Sequence, residues 1–230
     1  MTPRILLPGM MCDARIFGPQ INALSGSWPI MTTPIGQDPT IEGLARQLLG
    51  YAPSRFALAG LSMGGILAME ILRQAPDRVA GLALLVTNQQ AELPEKKARR
   101  AQQMAAGKHG ALGRVMREEM KPNYLTDGPG KTAILDLCLD MALSLGPVVF
   151  KNQSKALRDR RDQTVTLSAY EGPALVLCGR EDSLCPVGRH IQMHKLMPQS
   201  RLEIIEYAGH LPTLELPDQT TAALRRWLED

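Results

Sequence analysis

Short apolar runs alternate with segments of helical spacing along most of this 230-residue chain. The runs are apolar at nearly every position, which fits strands that are buried on both faces of a sheet. Strands that alternate with helices predict a parallel sheet, because each parallel connection needs a crossover and a helix supplies it. The predicted strands are 4–9, 28–34, 55–61, 79–87, 173–179 and 201–207. The predicted helices that follow them are 14–24, 40–51, 63–75, 187–197 and 218–229.

Residues 90–165 have a different character from the rest of the chain. They contain few β-branched runs and many Ala, Arg, Lys, Met and Leu residues, which favour helices. Four helices are predicted here, near 94–106, 111–120, 131–143 and 147–159. The pattern therefore predicts an α/β fold with an all-helical insertion between the fourth and fifth strands.

Charge and cysteine content exclude several classes of partner. The net charge of +3 is too small to predict a nucleic-acid partner, and the basic clusters at 95–100 and 158–162 contain acids, so they are interpreted as solvated helix faces. The chain has no run of eighteen apolar residues and no signal-peptide pattern, so no membrane partner is expected. Four cysteines without a CxxC pair indicate a reduced, cytoplasmic protein. No nucleotide-binding motif occurs, so no cofactor is expected, and the expected partner is a small-molecule substrate.

One serine lies between glycines where the third strand gives way to a helix. The sequence from Gly60 to Gly64 fits G-x-S-x-G, and Gly65 extends it to "GLSMGG". In a nucleophile elbow the serine occupies a sharp, strained strand-to-helix turn, and the flanking positions leave no room for a Cβ. The turn exposes the hydroxyl at the carboxyl edge of the sheet, beside the N-terminus of the next helix. The motif alone is weak, but here it has the strand and the helix that it requires.

With these features the chain resembles the α/β-hydrolase superfamily, in particular small carboxylesterase-like serine hydrolases with a helical cap. Four segments carry the resemblance in the order that the family uses: "LLPGMMCD", "GLSMGG", "VLCGREDSLCP" and "EYAGHLPTLELPD". The resemblance implies a mostly parallel six-stranded sheet with helices on both faces, in which the second and third strands flank the first. It also implies a division into a core, 1–89 and 166–230, and a helical cap, 90–165.

The same resemblance implies a Ser-His-Asp triad. Ser62 is the expected nucleophile, and His210, on a glycine-containing loop after the last strand, is the expected base. The acid is expected on the loop after the fifth strand, where Glu181 and Asp182 are both present. The family's spacing of the acid before a proline favours Asp182, because Pro186 follows it.

Two backbone N–H groups are expected to stabilise the oxyanion. Met63, which follows the nucleophile, supplies one, and by the family's His-Gly-X pattern Met10 supplies the other, with Met11 as the reserve. The chain departs from the family in having Pro8 where histidine is common. The residues expected to line the substrate pocket are Met11, Met104, Met116 and Met141.

Ester, lactone or thioester hydrolysis through an acyl-enzyme is the predicted activity. A carbon–carbon bond hydrolase is an alternative, because it uses the same triad; cap arginines such as Arg114, Arg117 and Arg158 would then bind a dienoate carboxylate. A non-catalytic binding protein on this fold is a further alternative.

His190 and His194 lie four residues apart but lack the glutamate of H-E-x-x-H, so a surface helix face is favoured over a metal site. His109 is interpreted as a loop residue in the cap.

Overall fold

The computed structural model describes residues 2–108, 111–120, 123–128 and 130–229. Within them six strands form one sheet in the order β2-β1-β3-β4-β5-β6, and every neighbouring pair is parallel. The prediction that the second and third strands flank the first is therefore confirmed. The strands are β1 Arg4–Leu7, β2 Ile30–Thr32, β3 Phe56–Leu61, β4 Val79–Leu85, β5 Ala174–Gly179 and β6 Arg201–Ile205.

Ten α-helices occur in the described ranges, with short 3₁₀ turns at Ala14–Phe17 and Pro76–Arg78. The helices are α1 Gly18–Leu24, α2 Ile41–Tyr51, α3 Met63–Gln74, α4 Pro94–Lys108, α5 Leu112–Arg114, α6 Lys131–Asp159, α7 Thr164–Ser168, α8 Val187–Leu196, α9 Pro212–Glu215 and α10 Pro217–Glu229. Thr40 is the N-cap of α2, because its hydroxyl accepts the N–H of Gly43 at 3.0 Å.

Successive residues of the inner strands enter different cores. In β1, Ile5 and Leu7 pack into one apolar cluster and Leu6 into the other, on the opposite face of the sheet. Both faces are covered, and all six residues of β3 are buried. This burial explains why the strands are apolar throughout, and it leaves the carboxyl edge of the sheet as the place for polar chemistry.

The region between β4 and β5 is helical, with three differences from the prediction. The two predicted helices 131–143 and 147–159 form the single run α6, which breaks at Gly146, where φ is 78° and ψ is 177°. Residues Val115–Met120 form a π-helix rather than the last part of an α-helix. The boundary expected between 165 and 166 falls inside α7, which packs against α3 and α8. His109 lies outside the described residues.

By length and composition alone, α6 is apolar enough to cross a membrane. The mean hydropathy of its most apolar stretch is 1.8, and only 22% of that stretch is buried. No such helix was expected from the sequence, because the chain has no run of eighteen apolar residues. The break at Gly146 also divides the run into two parts, each shorter than the ~20 residues that span a bilayer.

Candidate active site

The turn from β3 to α3 holds Ser62 in a strained conformation. Its φ of 54° and ψ of −112° lie outside the regions that residues with a side chain normally adopt. The neighbouring glycines permit this turn, because a Cβ on Gly60 would lie 2.3 Å from the carbonyl oxygen of Gly64. A Cβ on Gly64 would lie 2.1 Å from the carbonyl oxygen of Leu7, so β1 and α3 approach too closely for any side chain there.

Three residues that are far apart in the sequence form a hydrogen-bonded chain at the carboxyl edge of the sheet. Ser62 Oγ lies 2.9 Å from Nε2 of His210, and Nδ1 of His210 lies 2.8 Å from Oδ2 of Asp182. His210 is 5% exposed and Asp182 is 3% exposed. The structure thus brings together the three side chains that the sequence predicts as a triad.

The loop after β5 places Asp182 and excludes its neighbour. Oδ1 of Asp182 accepts the backbone N–H groups of Leu184 and Cys185 at 2.9 and 3.0 Å, so the loop itself fixes the carboxylate. Glu181 is exposed to solvent. Of the two acids that the sequence offers, only Asp182 therefore contacts His210.

The loop that carries His210 is held by Glu215, a residue that the sequence analysis did not single out. The Glu215 carboxylate accepts the N–H groups of Gly209 and Leu211, which flank the histidine, at 3.0 to 3.1 Å. It also accepts the N–H of Thr126, from the segment before α6, at 3.0 Å. The N–H of His210 donates to the carbonyl of Tyr124 at 2.7 Å. The sequence did contain a signal for Glu215, because it is an acidic residue one turn into the helix that follows the histidine loop.

Two backbone amides beside Ser62 have no acceptor in the described part of the chain. Met10 and Met63 both line the cavity that contains Ser62, and neither N–H donates to another described group. The N–H of Met11 instead donates to Oε1 of Gln153 at 2.8 Å. Met11 is therefore not available as a reserve donor, because Gln153 engages its amide.

His190 lies in the interior and not on a surface helix face, so that interpretation of the sequence was wrong. It is 0% exposed, and its Nε2 accepts the N–H of Thr87 at 3.1 Å. The Thr87 hydroxyl donates to the carbonyl oxygen of Ser62 at 2.8 Å. Burial lowers the pKa of His190 from 6.5 to about 4, so the ring stays neutral and supports the wall behind the elbow.

A cavity of about 200 Å³ opens in front of Ser62 and His210. Its apolar wall includes Ile66, Met120, Tyr124, Leu157 and Leu184. The four methionines expected there lie elsewhere in the described chain: Met11, Met116 and Met141 are buried in the core, and Met104 does not line the cavity. Helical spacing identifies an inward face but not which inward residues reach a cavity.

The cations of the cavity also differ from those expected. Arg114, Arg117 and Arg158, the arginines expected to reach a carboxylate, do not line it. The cluster at 95–100, expected to be a solvated helix face, contributes three residues on α4 to the wall: Lys96, Arg99 and Arg100.

One group of possible metal ligands overlaps this site. Ligand atoms of Asp182, Cys185 and His210 lie within 4.8 Å of one another. Burial raises the pKa of the Cys185 thiol to about 12, and a protonated thiol is a poor ligand. The carboxylate of Asp182 and the imidazole of His210 are already hydrogen-bonded to each other, so these three side chains do not favour a metal.

Comparisons with known proteins identify the family and the fold of the chain. The sequence pattern of the alpha/beta hydrolase family matches residues 23–224. The chain is 22% identical over 236 residues to a pimeloyl-[acyl-carrier protein] methyl ester esterase of Neisseria meningitidis, covering 97% of this chain and 76% of that one. A thermophilic esterase from Thermogutta terrifontis superposes with a TM-score of 0.90 at 28% identity, over 100% of this chain and 90% of that one. The enol-lactonase from Burkholderia xenovorans shares the fold, with a TM-score of 0.87 at 22% identity over 100% and 92% of the two chains.

Proposed function

The chain belongs to the alpha/beta hydrolase family, and on that premise we propose that it is a serine hydrolase in which Ser62, His210 and Asp182 act as the catalytic triad. The chain is a hydrolase that acts on ester bonds. The observation that carries the proposal is the chain of hydrogen bonds from the hydroxyl of Ser62, whose backbone is strained, to the buried carboxylate of Asp182.

In this mechanism the Ser62 hydroxyl attacks the ester carbonyl while Nε2 of His210 takes its proton. Asp182 accepts Nδ1–H of His210, which keeps Nε2 free to accept a proton and stabilises the imidazolium that forms. The N–H groups of Met10 and Met63 bind the developing oxyanion. His210 then protonates the leaving alcohol, and a water molecule activated by the same imidazole hydrolyses the acyl-enzyme.

We infer that the substrates are small esters, lactones or thioesters, and the size of the cavity supports the first part of this inference. Its volume of about 200 Å³ is below the range of typical drug-sized ligand sites. Residues of α4, of the π-helix and of α6 line it, and we expect this cap to determine which acyl and alcohol groups fit. We propose a cytoplasmic location, because the four cysteines show neither a CxxC pair nor the spacing of a disulfide framework.

A fluorophosphonate probe tests the proposal directly, because it reacts only with a serine that a base activates. We expect one probe adduct on native protein, located on Ser62 by peptide mass analysis, and none on Ser62→Ala. Native protein that remains unlabelled would favour the alternative of a non-catalytic binding protein. Labelling that persists in Ser62→Ala would show that the nucleophile is elsewhere.

A further inference from the structure

The cavity in front of Ser62 has an excess of positive charge. Four cations line it, Lys96, Arg99, Arg100 and Arg160, against two carboxylates, Glu92 and Glu119. A substrate made only of hydrocarbon and one ester bond gives no reason for this excess. The partners of each charged group within the protein determine which cations can bind a ligand.

The deeper charges are mostly neutralised by one another. The Glu92 carboxylate, 6% exposed, lies 2.8 Å from Nε of Arg100 and 2.9 Å from Nη1 of Arg160. Burial raises the pKa of Glu92, but the two guanidinium groups outweigh this effect and hold the pKa below its usual range. Arg160 also donates to the carbonyls of Gln90 and Leu157, so it is a structural part of the wall.

Arg100 has donor capacity left after this pairing. Its Nη1 lies 3.6 Å from the sulfur of Met10, a weak acceptor, and its Nη2 donates to no group that the structure describes. This contact places the guanidinium beside Met10, a proposed oxyanion donor. An acceptor that enters the cavity can therefore bind the remaining donors of Arg100 in the same cavity that Ser62 lines.

The outer cations are free of carboxylate partners. Within the described residues neither Lys96 nor Arg99 forms an ion pair; Arg99 donates only to the backbone carbonyl of Glu119, at 3.2 Å. The Glu119 carboxylate instead lies 3.6 Å from Arg114 and accepts from Gln103. Lys96 and Arg99 are exposed on α4 and reach the cavity from its mouth.

We propose that the substrate of this enzyme is a small ester that carries a carboxylate, which Arg100 binds inside the cavity and which Lys96 and Arg99 attract at its mouth. This inference rests on the proposed function, because it concerns the same site. A guanidinium fork matches a carboxylate in shape and charge, and cations at a cavity mouth raise the local concentration of an anion.

Monomethyl esters of the C5 to C8 dicarboxylic acids test the proposal, each compared with the corresponding monoamide, which has the same shape but no charge. Acetate esters of ω-hydroxy acids and their amides test the case in which the carboxylate is on the alcohol side. In at least one series we expect kcat/KM to favour the carboxylate by about tenfold or more, the size of a hydrogen bond to a charged group. The preference should decrease in 0.5 M NaCl, because salt screens charges at the mouth.

The double variant K96M/R99M removes two exposed cations without leaving a buried charge unpaired. It should lower kcat/KM for the carboxylate ester by about three- to tenfold, as expected for exposed charges, and so reduce the preference for this ester over the amide ester. The matched control K97M/R117M removes the same net charge from exposed residues that do not line the cavity, and it should change neither. R100K, which retains the charge beside Glu92 but loses the fork, should also reduce the preference.

Equal rates on carboxylate and amide esters in both series would overturn the proposal, and so would an equal effect of the two double variants. Either result leaves ester hydrolysis intact, because turnover of the neutral amide esters and fluorophosphonate labelling of Ser62 report it separately. A native enzyme that hydrolyses no ester and takes up no label would instead overturn the proposed function.

Discussion

Substitution of Asp182 by asparagine should force His210 into the wrong tautomer. The two carboxylate oxygens have different partners: Oδ1 accepts two backbone N–H groups, and Oδ2 accepts Nδ1–H of His210. An asparagine keeps its oxygen on the two backbone donors, because an amino group there would oppose them. Its NH2 group then faces Nδ1 of His210, so Nδ1 must be unprotonated and accept a hydrogen bond instead of donating one. The ring proton moves to Nε2, the atom 2.9 Å from Ser62 Oγ, and Nε2 can no longer accept the serine proton.

The expected loss in kcat is large, whereas the expected loss of stability is small. The same tautomer change lowers kcat by about 10⁴ in the serine protease triad, which corresponds to about 5 kcal/mol of activation free energy. Asparagine has nearly the shape of aspartate and keeps both backbone hydrogen bonds of the loop. The melting temperature of Asp182→Asn should therefore remain within a few degrees of the native value.

Steady-state hydrolysis of p-nitrophenyl butyrate, with thermal unfolding measured in parallel, provides the assay. Glu181→Gln is the matched control, because it removes the same charge one residue away from an exposed side chain and should leave kcat within about twofold. The reasoning is wrong if the two variants lose equal activity. It is also wrong if Asp182→Asn stays within tenfold of native kcat while its fold is intact.

Three further predictions concern groups that surround the triad. Burial holds His190 neutral and lowers its pKa from 6.5 to about 4. Between pH 6.5 and 4 the unfolded chain therefore binds a proton at this residue that the native protein does not bind. The free energy of unfolding should fall by up to about 3 kcal/mol between pH 6.5 and 4, and urea titrations should show a shallower fall in His190→Gln. Glu215→Ala should destabilise the protein by about 1–3 kcal/mol and lower kcat, because two N–H groups flanking the proposed base lose their acceptor. Glu215→Gln keeps one acceptor oxygen, so its stability and kcat should lie between those of the native protein and Glu215→Ala. Equal kcat in the two variants would refute this role. Met120→Ala should change relative kcat/KM among esters of different chain length by about 1–3 kcal/mol without slowing fluorophosphonate labelling, whereas Met104→Ala, outside the cavity, should change neither.

The sequence by itself determined the strands of the sheet and identified the three residues proposed as the triad. Strands buried on both faces must be apolar throughout, so the inner strands β1, β3, β4 and β5 were visible as apolar runs, and crossover helices made the sheet parallel. The turn at Ser62 leaves no room for a Cβ at Gly60 or Gly64, so its motif is local and readable. Asp182 was distinguishable from Glu181 by its spacing to a proline.

Only the tertiary structure decided which side chains support and line the site. Glu215 accepts the N–H of Thr126, 89 residues away in the sequence, and the buried His190 accepts the N–H of Thr87, 103 residues away. The basic cluster at 95–100 resembles a solvated helix until α4 is packed over the carboxyl edge of the sheet. Helical spacing determines which residues share a face, but the elements that pack against that face determine whether it meets water, core or cavity. Those contacts join distant parts of the chain, so no local pattern in the sequence records them.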